Sequence, residues 1–299
     1  MRAIFFGTLC AFSTAPLRLL IEAGHELLAV VIPSEQSISG RPIVPLSPPQ
    51  LAPLPIVAAT AAPSIVSIAW EHQIPVYQVN RLAATETLDT LGRLQAEIAC
   101  VACFPKRFPA ALLKMPRWGF LNIHPSLLPH YRGPYPLFWI LRHGDRRFGV
   151  TVHFMDEQLD TGEIAAQAEV DLPDGIFGEE ADNTLSEYGA ELLLDVLHQL
   201  ERNHLMRRTQ PPDGSYLPTP QAADFEIETT WSAQRAYNFI RGTSDWQRPY
   251  PIEVAGQRFN LKQALFYAGH EVLDQPYRQW GDQIDLQFSP GVLRALVVR

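Results

Sequence analysis

Residues 1–33 read MRAIFFGTLCAFSTAPLRLLIEAGHELLAVVIP, and this stretch decides the fold class. Ala3–Phe6 is a short apolar run. Ser13 and Thr14 follow as helix caps, and Leu17, Leu20 and Ile21 recur at helical spacing. Leu27–Ile32 is then a continuous apolar run, as a strand buried on both faces of a parallel sheet requires. Val76–Val79, Ile98–Phe104, Phe120–His124 and Val150–Met155 continue the series of strands, with apolar segments such as Leu137–Leu141 as crossover helices. Repeated βαβ units imply an α/β chain with a doubly wound, mostly parallel, Rossmann-like sheet. Further on, Asn183 or Thr184 caps a long helix: Thr184 and Glu187 have capping-box spacing, and Leu185, Tyr188, Leu192, Val196 and Leu200 form its apolar stripe.

Two segments interrupt the pattern. Pro33–Pro63 holds eight prolines and only two charges, Glu35 and Arg41, so it reads as a long loop. Residues 203–228 contain Pro211, Pro212, Gly214, Pro218 and Pro220 and read as a linker. Beyond it a helix runs from Ser232 to Arg241 and ends at Gly242. The short strand-like runs Ile252–Val254, Phe259–Leu265, Ile284–Phe288 and Leu293–Val298 follow. The expected organisation is therefore an α/β domain over 1–205, a linker over 206–228 and a small β-rich, OB-like domain over 229–299.

Composition narrows the function classes. The 299 residues are 46% hydrophobic and 19% charged, which suits a globular chain rather than a disordered one. No run reaches the roughly 18 apolar residues of a membrane span, and the N-terminus lacks a secretory pattern, so a cytoplasmic location with no membrane partner is expected. Three cysteines are too few for a disulfide scaffold or a four-ligand zinc site, and no metal is expected. The net charge of −8 lies entirely in residues 1–205, which carry 14 basic against 22 acidic residues; residues 206–299 balance ten against ten. Nucleic-acid binders need cations for phosphates, so charge gives an RNA partner only weak support.

The chemistry concentrates in Phe120-Leu121-Asn122-Ile123-His124-Pro125-Ser126-Leu127-Leu128-Pro129-His130-Tyr131-Arg132-Gly133. In a strand, residues two apart share a face, so Asn122 and His124 project together near the carboxyl end where open α/β sheets place ligands. An amide donor beside an imidazole suits acyl transfer: the amide binds a developing oxyanion and a neutral His takes a proton. Met155-Asp156-Glu157-Gln158-Leu159-Asp160-Thr161-Gly162 sets acids on a turn after another strand, and an Asp brought up to the His would orient its ring. Cys100 and Cys103 form C-x-x-C, but strand positions three apart point to opposite faces and do not readily meet. One Asp-Thr-Gly is half of what an aspartic protease needs, and no G-x-G-x-x-G follows Gly7. His130, His143 and His153 read as surface or packing residues, and Phe138–Trp139 as helix core.

These pieces together resemble the 10-formyltetrahydrofolate-dependent formyltransferases, the group of methionyl-tRNA formyltransferase, the amino-sugar N-formyltransferases and their relatives. The resemblance rests on Asn122-x-His124-Pro125-Ser126-Leu127-Leu128-Pro129, then Arg132-Gly133, then Leu159-Asp160-Thr161-Gly162, and covers about residues 1–205. Trp231-Ser232, Phe239-Ile240-Arg241-Gly242 and Trp246 add a weaker likeness to the C-terminal domain of the tRNA and some sugar enzymes. The resemblance implies Asn122, His124 and Asp160 as a catalytic trio and 10-formyltetrahydrofolate as co-substrate. It implies a folate pocket lined by Phe104, Pro105, Lys106, Arg107 and Phe108, by Ser126, Leu127, Leu128 and Pro129, and by Asp156, Glu157, Gln158 and Leu159. Arg41, Arg132 and Tyr135 would meet the amine acceptor.

The departures concern mainly the acceptor. Where tRNA enzymes carry a basic Gly-Arg-Gly-Lys-type run, this chain has Ser39-Gly40-Arg41-Pro42-Ile43-Val44-Pro45, with the Arg but no Lys. Pro134-Tyr135-Pro136-Leu137-Phe138-Trp139 replaces a small-residue segment, and Pro105 stands at a usual glycine. The acceptor is thus either methionyl-tRNA or a small or carrier-tethered amine such as an amino sugar. A hydrolase passing the formyl group to water, and a folate-binding protein without turnover, are the alternatives from other classes.

Overall fold

The computed structural model describes residues 1–35, 40–48 and 63–298. By their internal contacts these residues form two units. The first comprises 1–132, 149–169 and 183–215, and the second 133–148, 170–182 and 216–299.

In chain order the elements are β1 (Arg2–Gly7), α1 (Thr14–Glu22), β2 (Glu26–Pro33), β3 (Ile43–Leu46), α2 (Ile65–Glu71), β4 (Val76–Val79), α3 (Thr85–Gly92), β5 (Ile98–Ala102), α4 (Ala110–Leu113) and β6 (Phe120–His124). Then come α5 (Pro136–His143), β7 (Phe148–Phe154), β8 (Ile164–Val170) and α6 (Gly178–Glu201). Strands β1 to β8 make one sheet in the order β3-β4-β2-β1-β5-β6-β7-β8. The pairs β1–β2, β1–β5, β2–β4 and β5–β6 are parallel, as the unbroken apolar runs require. Alternate residues of these strands pack one face of the sheet: Ile4 and Phe6, Ala29 and Val31, Ala99 and Val101, with Phe120, Val79 and Leu91. The Phe6 ring meets those of Phe104, Phe108 and Phe120 at 5.2–5.5 Å.

Several expectations are corrected. The loop expected over Pro33–Pro63 contains strand β3, paired antiparallel to β4 with Ile43 opposite Val79. Ile43 is buried in the core, and proline is tolerated there because β3 is an edge strand. Of the rest of that segment, residues 36–39 and 49–62 lie outside the described residues. Ser13 spends its hydroxyl on the Ala102 carbonyl at 2.9 Å and caps no helix with it. Helix α6 starts at Gly178, before Asn183 and Thr184, with Glu179 and Glu180 in its first turn, where acids suit the helix dipole. Its buried side includes Leu185, Ala190, Leu193, Val196, Leu197 and Leu200, while Tyr188 is exposed. The stripe slips at that point because Gly189, beside Tyr188, approaches β6. A Cβ on Gly189 would stand 2.5 Å from Ile123 Cγ2 and 3.1 Å from Val150 Cγ1.

Leu137–Leu141 is helical but is no crossover between parallel neighbours, because β6 and β7 pair antiparallel. Every residue from Pro136 to Leu141 is buried, and Phe138 packs at 5.1 Å from Phe225 and 5.3 Å from Phe239 within the second unit. That unit also holds α7 (Ala233–Gly242), whose N-cap Ser232 accepts the Arg235 amide. It holds β9 (Tyr250–Val254), β10 (Gln257–Ala268), β11 (Tyr277–Trp280), β12 (Gln283–Gln287) and β13 (Val292–Val297) as well. These five form an antiparallel sheet in the order β11-β12-β13-β10-β9. Strand β11, Tyr-Arg-Gln-Trp, has no apolar alternation and escaped the sequence reading.

Because Gly189 lets α6 close on β6, Gly189→Val will overpack that contact. Chemical denaturation should show a loss of about 1–3 kcal/mol, and an unchanged midpoint would contradict this account of the helix.

Candidate active site

Strand β6 turns Asn122 and His124 to the same face as the buried Phe120, as its pleat demands. Antiparallel register then sets Asn122 opposite His153 and His124 opposite Thr151 on β7. Directly opposed side chains share a face. Asn122 Nδ2 and His153 Nε2 lie 3.1 Å apart, and His153 Nδ1 is 2.8 Å from the Phe154 carbonyl oxygen. A carbonyl only accepts, so Nδ1 carries the ring proton and donates it, and Nε2 accepts from the Asn122 amide. Burial supports this by holding His153 below the ordinary imidazole range. His153, expected to be a surface or packing residue, is thus the group that orients Asn122. Its signal was unreadable without the register of β6 against β7.

His124 is buried, and its Nε2 donates to the Tyr131 carbonyl at 2.9 Å, leaving Nδ1 facing Asp160 Oδ1 at 3.8 Å. The same Oδ1 lies 3.7 Å from His153 Nε2. The structure therefore gathers Asn122, His124 and Asp160 as the sequence motifs anticipated, and adds His153. Thr151 secures the turn after His124: its hydroxyl donates to the Ser126 carbonyl and accepts from the Leu128 amide and Gln167 Nε2. The Ser126 hydroxyl donates to the His130 carbonyl at 2.8 Å, and Ser126, Leu128 and Pro129 are buried.

The Asp160 turn is closely constrained. Asp160 is held at φ +56°, a left-handed conformation that Asp tolerates better than most residues. Asp156 accepts from the Gln158 amide and the Thr161 hydroxyl. Gly162 is needed because a Cβ there would stand 1.9 Å from the Phe154 carbonyl oxygen. Gln210, from the segment read as linker, closes the turn by donating to the carbonyls of Asp160 and Gly162, each at 2.8 Å. Its Oε1 accepts from Arg132 Nε and Nη2 at 3.1 and 2.7 Å. Arg132, assigned to the acceptor by resemblance, is thus engaged in holding this turn. Arg41 pairs with Glu86, and Tyr135, in the second unit, meets Trp246 edge-on with ring centroids 4.9 Å apart.

At the carboxyl ends of β4 and β5 the first unit has a cavity of about 780 Å³, within the range of small-molecule sites. Asn80–Ala84 and Lys106–Ala110 line it, together with Glu157 from the Asp160 turn. Lys106, Arg107, Phe108 and Glu157 of the expected folate residues reach its wall. Phe104 packs on Phe6 and Phe108 instead.

Residues 47–197 match the formyl transferase family model. The methionyl-tRNA formyltransferase of Clostridioides difficile is 30% identical over 251 residues, 84% of this chain and 76% of that protein. The Synechococcus methionyl-tRNA formyltransferase is 33% identical over 82% of this chain and 72% of its own length. The chain belongs to the formyl transferase family. Solved structures show the same fold. An N-formyltransferase from Helicobacter canadensis, solved with folinic acid and dTDP-3-aminofucose, superposes with a TM-score of 0.71 at 14% identity, covering 99% of both chains. WlaRD, a sugar 3N-formyltransferase, gives 0.69 at 13% identity over 100% of this chain and 98% of its own.

Protonating buried His153 is disfavoured, so below about pH 6.5 the unfolded chain binds a proton that the folded chain rejects. The stability contributed by neutral His153 is complete above that pH and drains away as pH falls. Urea unfolding should show a steeper loss between pH 7.5 and 5.5 in the native chain than in His153→Gln. Removing the Gln210 clamp by Gln210→Met should speed amide exchange across residues 156–162 by about tenfold or more, the loss of a hydrogen bond or two at ~1 kcal/mol each. Unchanged protection there would contradict the role drawn for Gln210.

Proposed function

We propose that this chain transfers a formyl group from 10-formyltetrahydrofolate to a primary amine, with Asn122, His124 and Asp160 at the reacting centre. The observation that carries the reading is the buried His124 ring, fixed by the Tyr131 carbonyl on one nitrogen and facing Asp160 with the other, beside the oriented amide of Asn122.

The cavity fits the co-substrate in size and chemistry. Leu82, Phe108 and Pro109 offer apolar surface to a flat bicyclic ring, and Arg81, Lys106 and Arg107 supply cations for an anionic glutamate tail. When bound, the folate supplies a formyl carbon carried on N10. The remaining chemistry belongs to the chain. The amide nitrogen of Asn122 has two hydrogens; one goes to His153, and the second is the donor for negative charge developing on the formyl oxygen as an amine adds. With Nε2–H committed to the Tyr131 carbonyl, Nδ1 of His124 is the nitrogen that gains or gives up a proton. Asp160 Oδ1, 3.8 Å away, faces that nitrogen and orients the ring.

Two acceptors each have support. Kinship favours methionyl-tRNA, since relatives bearing that name align over more than four-fifths of this chain. Charge favours a small or carrier-tethered amine such as an amino sugar. Arg41, Arg146, Arg207, Arg258, Arg278 and Arg294 are all ion-paired to carboxylates rather than presented for phosphates.

Turnover of 10-formyltetrahydrofolate with methionyl-tRNA, and separately with amino sugars, separates these readings. Asn122→Ala and His124→Ala should each lose roughly 10²–10³ in kcat, the usual loss for one oxyanion donor. Normal rates in both variants would overturn the assigned centre. Formate release without any amine would indicate a hydrolase, and tight folate binding with no loss of formyl would indicate a binding protein.

A further inference from the structure

Cys100 and Cys103 form a C-x-x-C whose strand spacing keeps the two thiols from readily meeting. The structure separates them and gives Cys103 a different neighbour. Cys100 is fully buried in β5, and burial pushes its thiol up to about 12, so it is inert at neutral pH. Cys103 lies just past the end of β5, where a φ of +55° turns the chain, and is exposed. Cys10 lies three residues past the end of β1 and is also exposed. Strands β1 and β5 are parallel neighbours with Gly7 opposite Ala102, so the two loops leave the same edge of the sheet side by side. There the Cys103 side chain hydrogen-bonds that of Cys10. The Thr8 hydroxyl donates to Cys10 Sγ at 3.1 Å, and Ser13 Oγ lies 3.6 Å from the same sulfur. These partners hold the Cys10 thiol down at about 5, with the Cys103 hydrogen bond the largest influence. This is also the edge where the sheet order switches: β1 has β2 on one side and β5 on the other.

We propose that Cys10 and Cys103 form an oxidisable thiol pair, a modification site whose reagent is a hydroperoxide. The Cys10 thiolate attacks the O–O bond, forming an S–O bond. Cys10 is oxidised to the sulfenic acid while the peroxide is reduced, and the departing alkoxide or hydroxide takes up a proton. The Cys103 sulfur then attacks the Cys10 sulfur and displaces its hydroxyl, which leaves as water with the Cys103 proton. Two thiols and one hydroperoxide thus give one disulfide, one water and one alcohol or water. This chemistry needs an exposed, thiolate-stabilised sulfur beside a resolving thiol, and these two loops supply both. It is independent of the formyl-transfer reading.

The test treats the reduced full chain with one equivalent of hydrogen peroxide and maps its peptides without reduction. An intramolecular Cys10–Cys103 link with Cys100 still a thiol is the expected product. In Cys103→Ala, Cys10 should be trapped by dimedone as the sulfenic acid, and in Cys10→Ala, Cys103 should stay reduced at the same dose. Losing its thiol partner should also slow iodoacetamide alkylation of Cys10 at pH 6.5 about tenfold in Cys103→Ala, a change the melting temperature tracks separately from misfolding. A link between molecules, oxidation falling on Cys100, or Cys10 alkylation unaffected by Cys103→Ala would each overturn the assignment.

Discussion

The candidate site depends on one reversal of direction. Strand β6 joins the sheet parallel to β5, and β7 joins β6 antiparallel. Only that arrangement sets His153 directly across from Asn122, and sends the chain after β7 into the turn that brings Asp160 within 4 Å of both histidines. The buried histidine is the constraint that the other groups obey. Its Nδ1 proton goes to the Phe154 carbonyl, its Nε2 must therefore accept, and the nearest donor is the Asn122 amide. A buried polar group without a partner costs about 1–3 kcal/mol, so the network that satisfies His153 also gives Asn122 one orientation.

Rigidity around the site comes from short-range steric limits more than from charge. Gly189 lets helix α6 rest on the back of β6, and Gly162 lets the Asp160 turn close over the Phe154 carbonyl. Thr151 and Gln167 tie down the turn after His124, and Gln210 with Arg132 ties down the turn of Asp160. Apart from Arg132, none of these supporting groups is the charged or aromatic residue type that marks a site by composition. Several arginines, among them Arg41, Arg146, Arg207, Arg258, Arg278 and Arg294, are likewise held by neighbouring carboxylates.

How much was legible follows from the range of each interaction. The pleat of a strand is local, so Phe120–His124 announced that Asn122 and His124 share a face, and the continuous apolar runs announced strands buried on both sides. The Asp160-Thr161-Gly162 turn was visible because its residue types are demanded by geometry within a few positions. Proline-rich composition misled at Ile43–Leu46, since an edge strand can accept prolines that a central strand rejects. Helix α6 was begun too late because Thr184 and Glu187 mimic a cap that the chain, already helical from Gly178, does not use.

By itself the sequence determined the two-face burial of the strands, the pairing of amide and imidazole on one strand, and the acid-bearing turn, because each is written at a spacing of two to four residues. Only the tertiary structure decided that β7 runs against β6, that His153 therefore meets Asn122, and that Gln210 reaches back 50 residues to hold Asp160. It likewise decided that Cys103 faces Cys10 rather than Cys100. Strand direction and register are set by how the whole sheet buries its apolar surface, and no local pattern encodes which distant residue arrives opposite.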